Sequence, residues 1–102
     1  MPERPEERRR SDRIPLRRAV SLHWQERGAA CAENTYTLTI SLYGCAIANG
    51  SHLRPGAEIR VRRDGREMAG RVVYNLKDSS KEYIELGIGF DAPGDEFWDY
   101  AF

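Results

Sequence analysis

At 102 residues, with 40% hydrophobic and 31% charged side chains, the chain has the size and composition of one globular domain. A chain of this size buries roughly 60 to 70% of its unfolded surface, so a core is expected without disulfides or a structural metal, and neither two separate cores nor a wholly disordered chain fits. Sixteen basic and sixteen acidic side chains cancel, so the molecule as a whole carries no field that would draw it to nucleic acid or an anionic membrane.

The balance is unevenly distributed. Residues 1 to 18 hold seven arginines against four acids, which leaves the rest of the chain net acidic by three. No run of 18 apolar residues is present and the polar, proline-bearing start has no signal-peptide character, so a cytoplasmic protein without membrane insertion is expected. Two cysteines, Cys31 and Cys45, are too few and too isolated for a disulfide framework or a zinc site, and Cys45 reads as small apolar filling.

Residues 1 to 12 (MPERPEERRRSD) offer no apolar anchor after Pro5, which predicts a mobile arm ahead of a domain over residues 13 to 102. From Ala19 the pattern turns to period two, with Val20, Leu22 and Trp24 alternating with polar residues as in a half-buried strand. The stretch TYTLTIS (residues 35 to 41) places Tyr36, Leu38 and Ile40 on one face of a second strand, opposite Thr35, Thr37, Thr39 and Ser41. A short apolar run, CAIA, follows Gly44 as a third. After a turn at Pro55-Gly56, Ile59 and Val61 alternate with charges, and Asp64-Gly65 fits a two-residue hairpin turn into REMAGRVVY, with Gly70 marking a bend or bulge.

Residues 75 to 81 read as a polar loop. In the last strand, YIELGIGF, Gly87 and Gly89 share the face opposite Leu86, Ile88 and Phe90, as expected where something bulky lies close. Asp95 is placed to cap a final helical turn, whose Phe97, Trp98, Ala101 and Phe102 form an apolar flap. Six short strands with tight turns and little helix predict an all-β fold, a small six-stranded antiparallel barrel with a short C-terminal helical turn.

Catalytic chemistry finds little support. His23 and His52 lie in different elements with no ligand spacing, Ser41 lacks the preceding glycine of a nucleophile elbow, and no Gly-rich phosphate loop ends in Lys, so neither an enzyme nor a metal site is expected. The acids Asp91, Asp95, Glu96 and Asp99 read as a solvated face. The arginine run is the locally unusual feature. Planar guanidinium groups pair with phosphate in two-point fashion, hydrogen-bond the O6 and N7 edge of guanine and stack on its face, which together suit a guanine nucleotide. Arg9 and Arg13, four apart just before the first strand, can fold back beside Ser41 and Gly44.

Arg9-Arg10-Ser11-Asp12-Arg13 followed by IPLRRAVSL resembles the RxxxR motif and first strand of PilZ domains, and Ser41-Leu42-Tyr43-Gly44 resembles the end of their second motif, (D/N)xSxxG. The resemblance runs on through LRPGAEIRV, GRVVY and LGIGF, nearly the whole chain. It implies a six-stranded barrel that binds the bacterial second messenger cyclic di-GMP and acts, without catalysis or cofactor, as a cytoplasmic receptor or adaptor for a downstream bacterial protein. By the same resemblance Arg9 and Arg13 grip phosphates and guanine edges, Ser41 bonds near a guanine, Gly44 lets the backbone approach, and Arg8 and Arg10 add contacts. Ligand binding would order the arm and so relay the signal. Where the family has Asp or Asn this chain has Thr39, whose single hydroxyl lacks the two acceptors a carboxylate offers to guanine N1 and N2. That departure leaves a second reading open, a PilZ-like interaction module that no longer takes the ligand. A third, a single-stranded nucleic-acid binder, is opposed by the zero net charge and by Trp24 and Tyr36 lying on apolar strand faces.

Overall fold

The structure, a computed structural model, describes residues 13–102. The arm expected over residues 1–12, with Arg8, Arg9 and Arg10, lies outside the described residues. In chain order the elements are β1 (Ile14–Pro15), β2 (Ala19–Glu26), β3 (Ala29–Ser41), β4 (Gly44–Asn49), β5 (Glu58–Arg63), β6 (Arg66–Lys77), β7 (Ile84–Phe90) and a helical turn α1 (Asp95–Trp98). Six strands close into the expected antiparallel barrel in the order β3-β2-β5-β6-β7-β4, with β3 returning to β4. β1 adds a two-residue pairing to β3, Ile14 opposite Ile40 and Pro15 opposite Thr39. Closure pairs most of the strand edges that an open sheet of this composition would leave exposed. No helix among the described residues is long and apolar enough to cross a membrane.

The period-two pattern is what fills the barrel. Val20 and Leu22 of β2, Ile47 of β4, Ile59 and Val61 of β5, Val72 of β6 and Leu86 and Ile88 of β7 all point inward and are buried. Asp64 and Gly65 both take positive φ (49° and 75°), the mirror-image turn that suits the twist of a two-residue hairpin. Arg27 and Gly28 do the same (52° and 81°) and join β2 to β3. This second hairpin lengthens β3 back to Ala29, six residues ahead of the expected start at Thr35. The added segment AACAEN carries no β-branched or aromatic residue, and its conformation is imposed by register, Glu26 opposite Ala29 through Ser21 opposite Asn34.

Two bulges depart from the prediction, one in the face of β3 and one in the place of the β6 irregularity. The β3–β4 register shifts between Thr37 and Thr39, so the expected Tyr36/Leu38/Ile40 face does not persist: Thr37 and Ile40 are buried and Leu38 only half so. Thr37 is tolerated in the core because its hydroxyl donates to the Leu16 carbonyl (2.7 Å) and accepts from the Arg18 amide (2.8 Å). These bonds tie residues 16–18 across β3. The second shift falls between Val72 and Tyr74, not at Gly70, where a side chain would instead strike the Gly89 carbonyl. β6 also continues to Lys77, into the expected loop, because Asn75, Leu76 and Lys77 pair with β7.

α1 closes one end of the barrel. Phe97 and Trp98 are buried against Phe90, with ring centroids 4.8 to 5.9 Å apart, whereas Ala101 is exposed and Phe102 packs on Tyr100 near the surface. Tyr100 and Phe102 are half-buried and pack against the core beside them, so of the four residues predicted for the flap only Ala101 stays out of it. Gly94, without a side-chain cap, occupies the N-cap position expected of Asp95, which falls in the first turn beside Glu96, where acids favour the helix dipole. Arg63 donates to the Phe97 carbonyl (2.8 Å) and Arg66 to that of Glu96, satisfying the end of the turn. The acids Asp91, Asp95, Glu96 and Asp99 are exposed, as expected.

Cys45 is buried, and burial pushes its thiol pKa far above the usual range, whereas Cys31 is half-buried in the hairpin. A thiol reagent at pH 8 is expected to modify one cysteine per chain quickly and the second only as the barrel unfolds. Two equally fast equivalents would mean that β4 opens in the native state.

Candidate functional site

The strand register lays out a trough on the outside of the barrel. Thr39 lies opposite Ala46, Ala46 opposite Gly87, and Gly87 opposite Tyr74, forming one row across β3, β4, β7 and β6. The neighbouring row runs Ser41, Gly44, Gly89 and Arg71. In both rows the two middle strands contribute only glycine or alanine, so the floor is low and the walls come from β3 on one side and β6 on the other. The result is a cleft of about 280 Å³, lined among others by Arg13, Thr39, Ser41, Gly44, Val73 and Tyr74.

Each wall has a local cause. Arg13 is exposed and immediately precedes β1, whose pairing with β3, together with the Thr37 bonds, directs the chain past the strand end at Ser41. Val73 is the bulged residue of β6 and stands out into solvent beside the trough. The Tyr74 ring lies over Gly87, filling the space a side chain there would need, which is the bulky neighbour that the glycine alternation in β7 predicts. Gly44 is equally constrained, since a Cβ would collide with the Ile88 carbonyl oxygen.

The Tyr74 hydroxyl donates to Glu85 Oε2 at 2.8 Å. Partial burial and then this carboxylate hold the phenol pKa above its ordinary value, while the Arg13 guanidinium, close enough to bond it, acts in the opposite sense. Among the described residues that line the cleft none is acidic and Arg13 is the basic one, while Arg71, at the end of the second row, pairs with Glu58 at 3.4 Å. A larger hollow of about 990 Å³ lies away from the motifs, over β2, β5 and β6. Three of its four arginines face carboxylates, Arg62 meeting Glu67 at 2.6 Å, Arg60 the same residue at 3.5 Å and Arg71 meeting Glu58 at 3.4 Å, and Glu26, Glu58 and Asp91 also line it, so its charge is mixed where that of the trough is not.

The structure thus brings Arg13, Thr39, Ser41 and Gly44 to one trough, while Arg8, Arg9 and Arg10 fall outside the described residues. Motif reading misses the β6 wall, Val73 and Tyr74, and the nearby Glu85. Only the paired glycines of β7 hint at them. A family model of the PilZ domain matches residues 7–97, most of the chain and both motif segments. The chain belongs to the PilZ domain family. PilZ domains are cyclic di-GMP receptor domains, binding and adaptor modules rather than enzymes. No curated protein and no solved structure gives a significant match to the chain.

Proposed function

We propose that this PilZ domain binds cyclic di-GMP in the trough between β3 and β6 and acts as a cytoplasmic receptor or adaptor whose bound state a downstream bacterial protein reads. The observation that supports this best is the convergence of Arg13, Ser41 and Gly44 on a trough whose lining carries no acid among the described residues. A phosphodiester is an anion with no proton to donate, so it needs cations and exposed backbone rather than carboxylates. Arg13, with Arg9, takes phosphate oxygens and the guanine O6 and N7 edge. The Ser41 and Thr39 hydroxyls bond at the β3 wall, the bare backbone at Gly44 lets the ligand lie close, and Arg8 and Arg10 supply further charge.

Calorimetry with cyclic di-GMP, and with GTP and cyclic di-AMP as controls, tests the reading. Saturable heat with cyclic di-GMP alone, or at much lower concentration than with the controls, is expected. No saturation up to about 1 mM, which corresponds to less than ~4 kcal/mol of binding free energy, overturns it. That negative result would favour the second reading, an interaction module without ligand, for which Thr39 in the motif and the exposed Val73 and Leu76 on β6 are the motivating features.

A further inference from the structure

The second motif lacks its carboxylate, and no acid replaces it in the described lining of the trough. Guanine presents N1–H and an exocyclic N2 amine on its Watson–Crick edge, donors best met by the paired oxygens of a carboxylate; Thr39 and Ser41 each offer a single hydroxyl. One acid lies within reach on the same surface. Glu85 is two residues from Gly87 along the same outward face of β7, about 7 Å along the strand. Its cross-strand neighbour on β4 is Ala48, and β4 presents only methyl groups beside it, while the Tyr74 ring covers Gly87, so the carboxylate meets the cleft at the hydroxyl end of that ring.

Glu85 is also held in place. The Tyr74 hydroxyl bonds its Oε2 at 2.8 Å, and Arg13 borders the same hydroxyl, so a carboxylate, a phenol and a guanidinium meet at one margin of the cleft. This combination suits a purine base whose O6 and N7 edge takes a guanidinium while its N1 and N2 donors seek acceptors. A carboxylate ordered before binding also loses less side-chain entropy on engaging a ligand.

We infer that Glu85 replaces the missing motif carboxylate and reads guanine N1 and N2, with Tyr74 as its positioning residue. This rests on the cyclic di-GMP reading and names the residue that gives that site its preference for guanine. The test compares cyclic di-GMP with cyclic di-IMP, in which the N2 amine is absent, on the full chain. The unaltered protein should prefer cyclic di-GMP, and Glu85→Gln should lower its affinity for cyclic di-GMP by about tenfold while narrowing the preference over cyclic di-IMP. Tyr74→Phe should shift both in the same direction by less. Thr39→Asp introduced into Glu85→Gln should restore the preference, a rescue that a packing role for Glu85 does not produce.

Equal affinity of the unaltered chain for the two ligands overturns the inference without any variant. So does a Glu85→Gln protein that keeps the parental preference, or one that loses both ligands equally. In each of these cases cyclic di-GMP binding itself stands. Absence of binding by the unaltered chain overturns both.

Discussion

Arg13→Ala is expected to weaken cyclic di-GMP binding by about one to two decades while leaving the thermal midpoint within about 4 °C of the parent. The first figure follows from the chemistry of the contact. A charge-assisted hydrogen bond contributes about 1.5 to 3 kcal/mol, and each 1.4 kcal/mol is a factor of ten in the dissociation constant. The second follows from position, because Arg13 is exposed and forms no part of the buried cluster. Arg13→Lys should fall between parent and Ala, since it keeps the charge and loses the planar two-point fork. Arg9→Ala should resemble Arg13→Ala if the two arginines act together. An isotherm unchanged in Arg13→Ala would show that the guanidinium is merely solvated and that the trough does not bind through this motif. A variant that unfolds would show that Arg13 holds Tyr74 and β6 in place, a structural role.

Much of the fold is legible because burial and period coincide. Val20 and Leu22, Ile59 and Val61, and Leu86 and Ile88 alternate with outward residues, and each pair proves to be buried. The turn at Asp64-Gly65 is equally readable, since two successive positive φ angles leave few residue choices. What escapes is whatever depends on a neighbour distant in sequence. Residues 29–34 form a strand because β2 lies beside them, not because Ala and Asn favour one. The bulge at Leu38 reverses an expected face and the one at Val73 falls three residues past the expected Gly70, and nothing local announces either: TYTLTIS is uniformly alternating, yet Thr37 rather than Leu38 enters the core. Its burial depends on two bonds to residues about twenty positions earlier.

The same division runs through the site. Arg13, Ser41 and Gly44 are visible as spaced motif residues, and the register delivers them to one trough. Tyr74 and Glu85 are not visible, because their meeting requires the β6 bulge to re-aim Tyr74 across β7. The glycines are the intermediate case. Alternation in LGIGF signals a close neighbour without naming it, and only the pairing of Gly87 with Tyr74 supplies the ring.

The largest stability loss is expected from Trp98→Ala, about 3 to 5 kcal/mol, against a total of roughly 5 to 15 for a domain of this class. Trp98 is fully buried, stacked on Phe90 at 5.9 Å and edge-to-face with Phe97 at 4.8 Å, so truncation opens a cavity at the barrel end that the β-strands are too constrained to fill. At 4 to 8 °C per kcal/mol the midpoint should fall by on the order of 20 °C. Trp98→Phe should cost less than half as much, for a reason specific to this site. The indole Nε1–H is buried without a hydrogen-bond partner among the described residues, so phenylalanine removes a donor whose desolvation opposes folding by about 1 to 3 kcal/mol, which offsets part of the lost ring contact. The effect should extend to the trough. The Leu42-Tyr43 turn, which joins Ser41 to Gly44, accepts hydrogen bonds from the Gly94 amide at 2.6 Å and the Phe90 amide at 2.8 Å, both in the segment that Trp98 anchors. At temperatures where Trp98→Ala is still folded, its affinity for cyclic di-GMP should therefore drop, whereas Trp98→Phe binds as the parent does. Thermal melts of the two variants with and without ligand measure both effects. A Trp98→Ala protein that melts with the parent would mean that α1 is a detachable lid, and one that is destabilised yet binds normally would mean that the turn between Ser41 and Gly44 keeps its shape through the β3–β4 pairing alone.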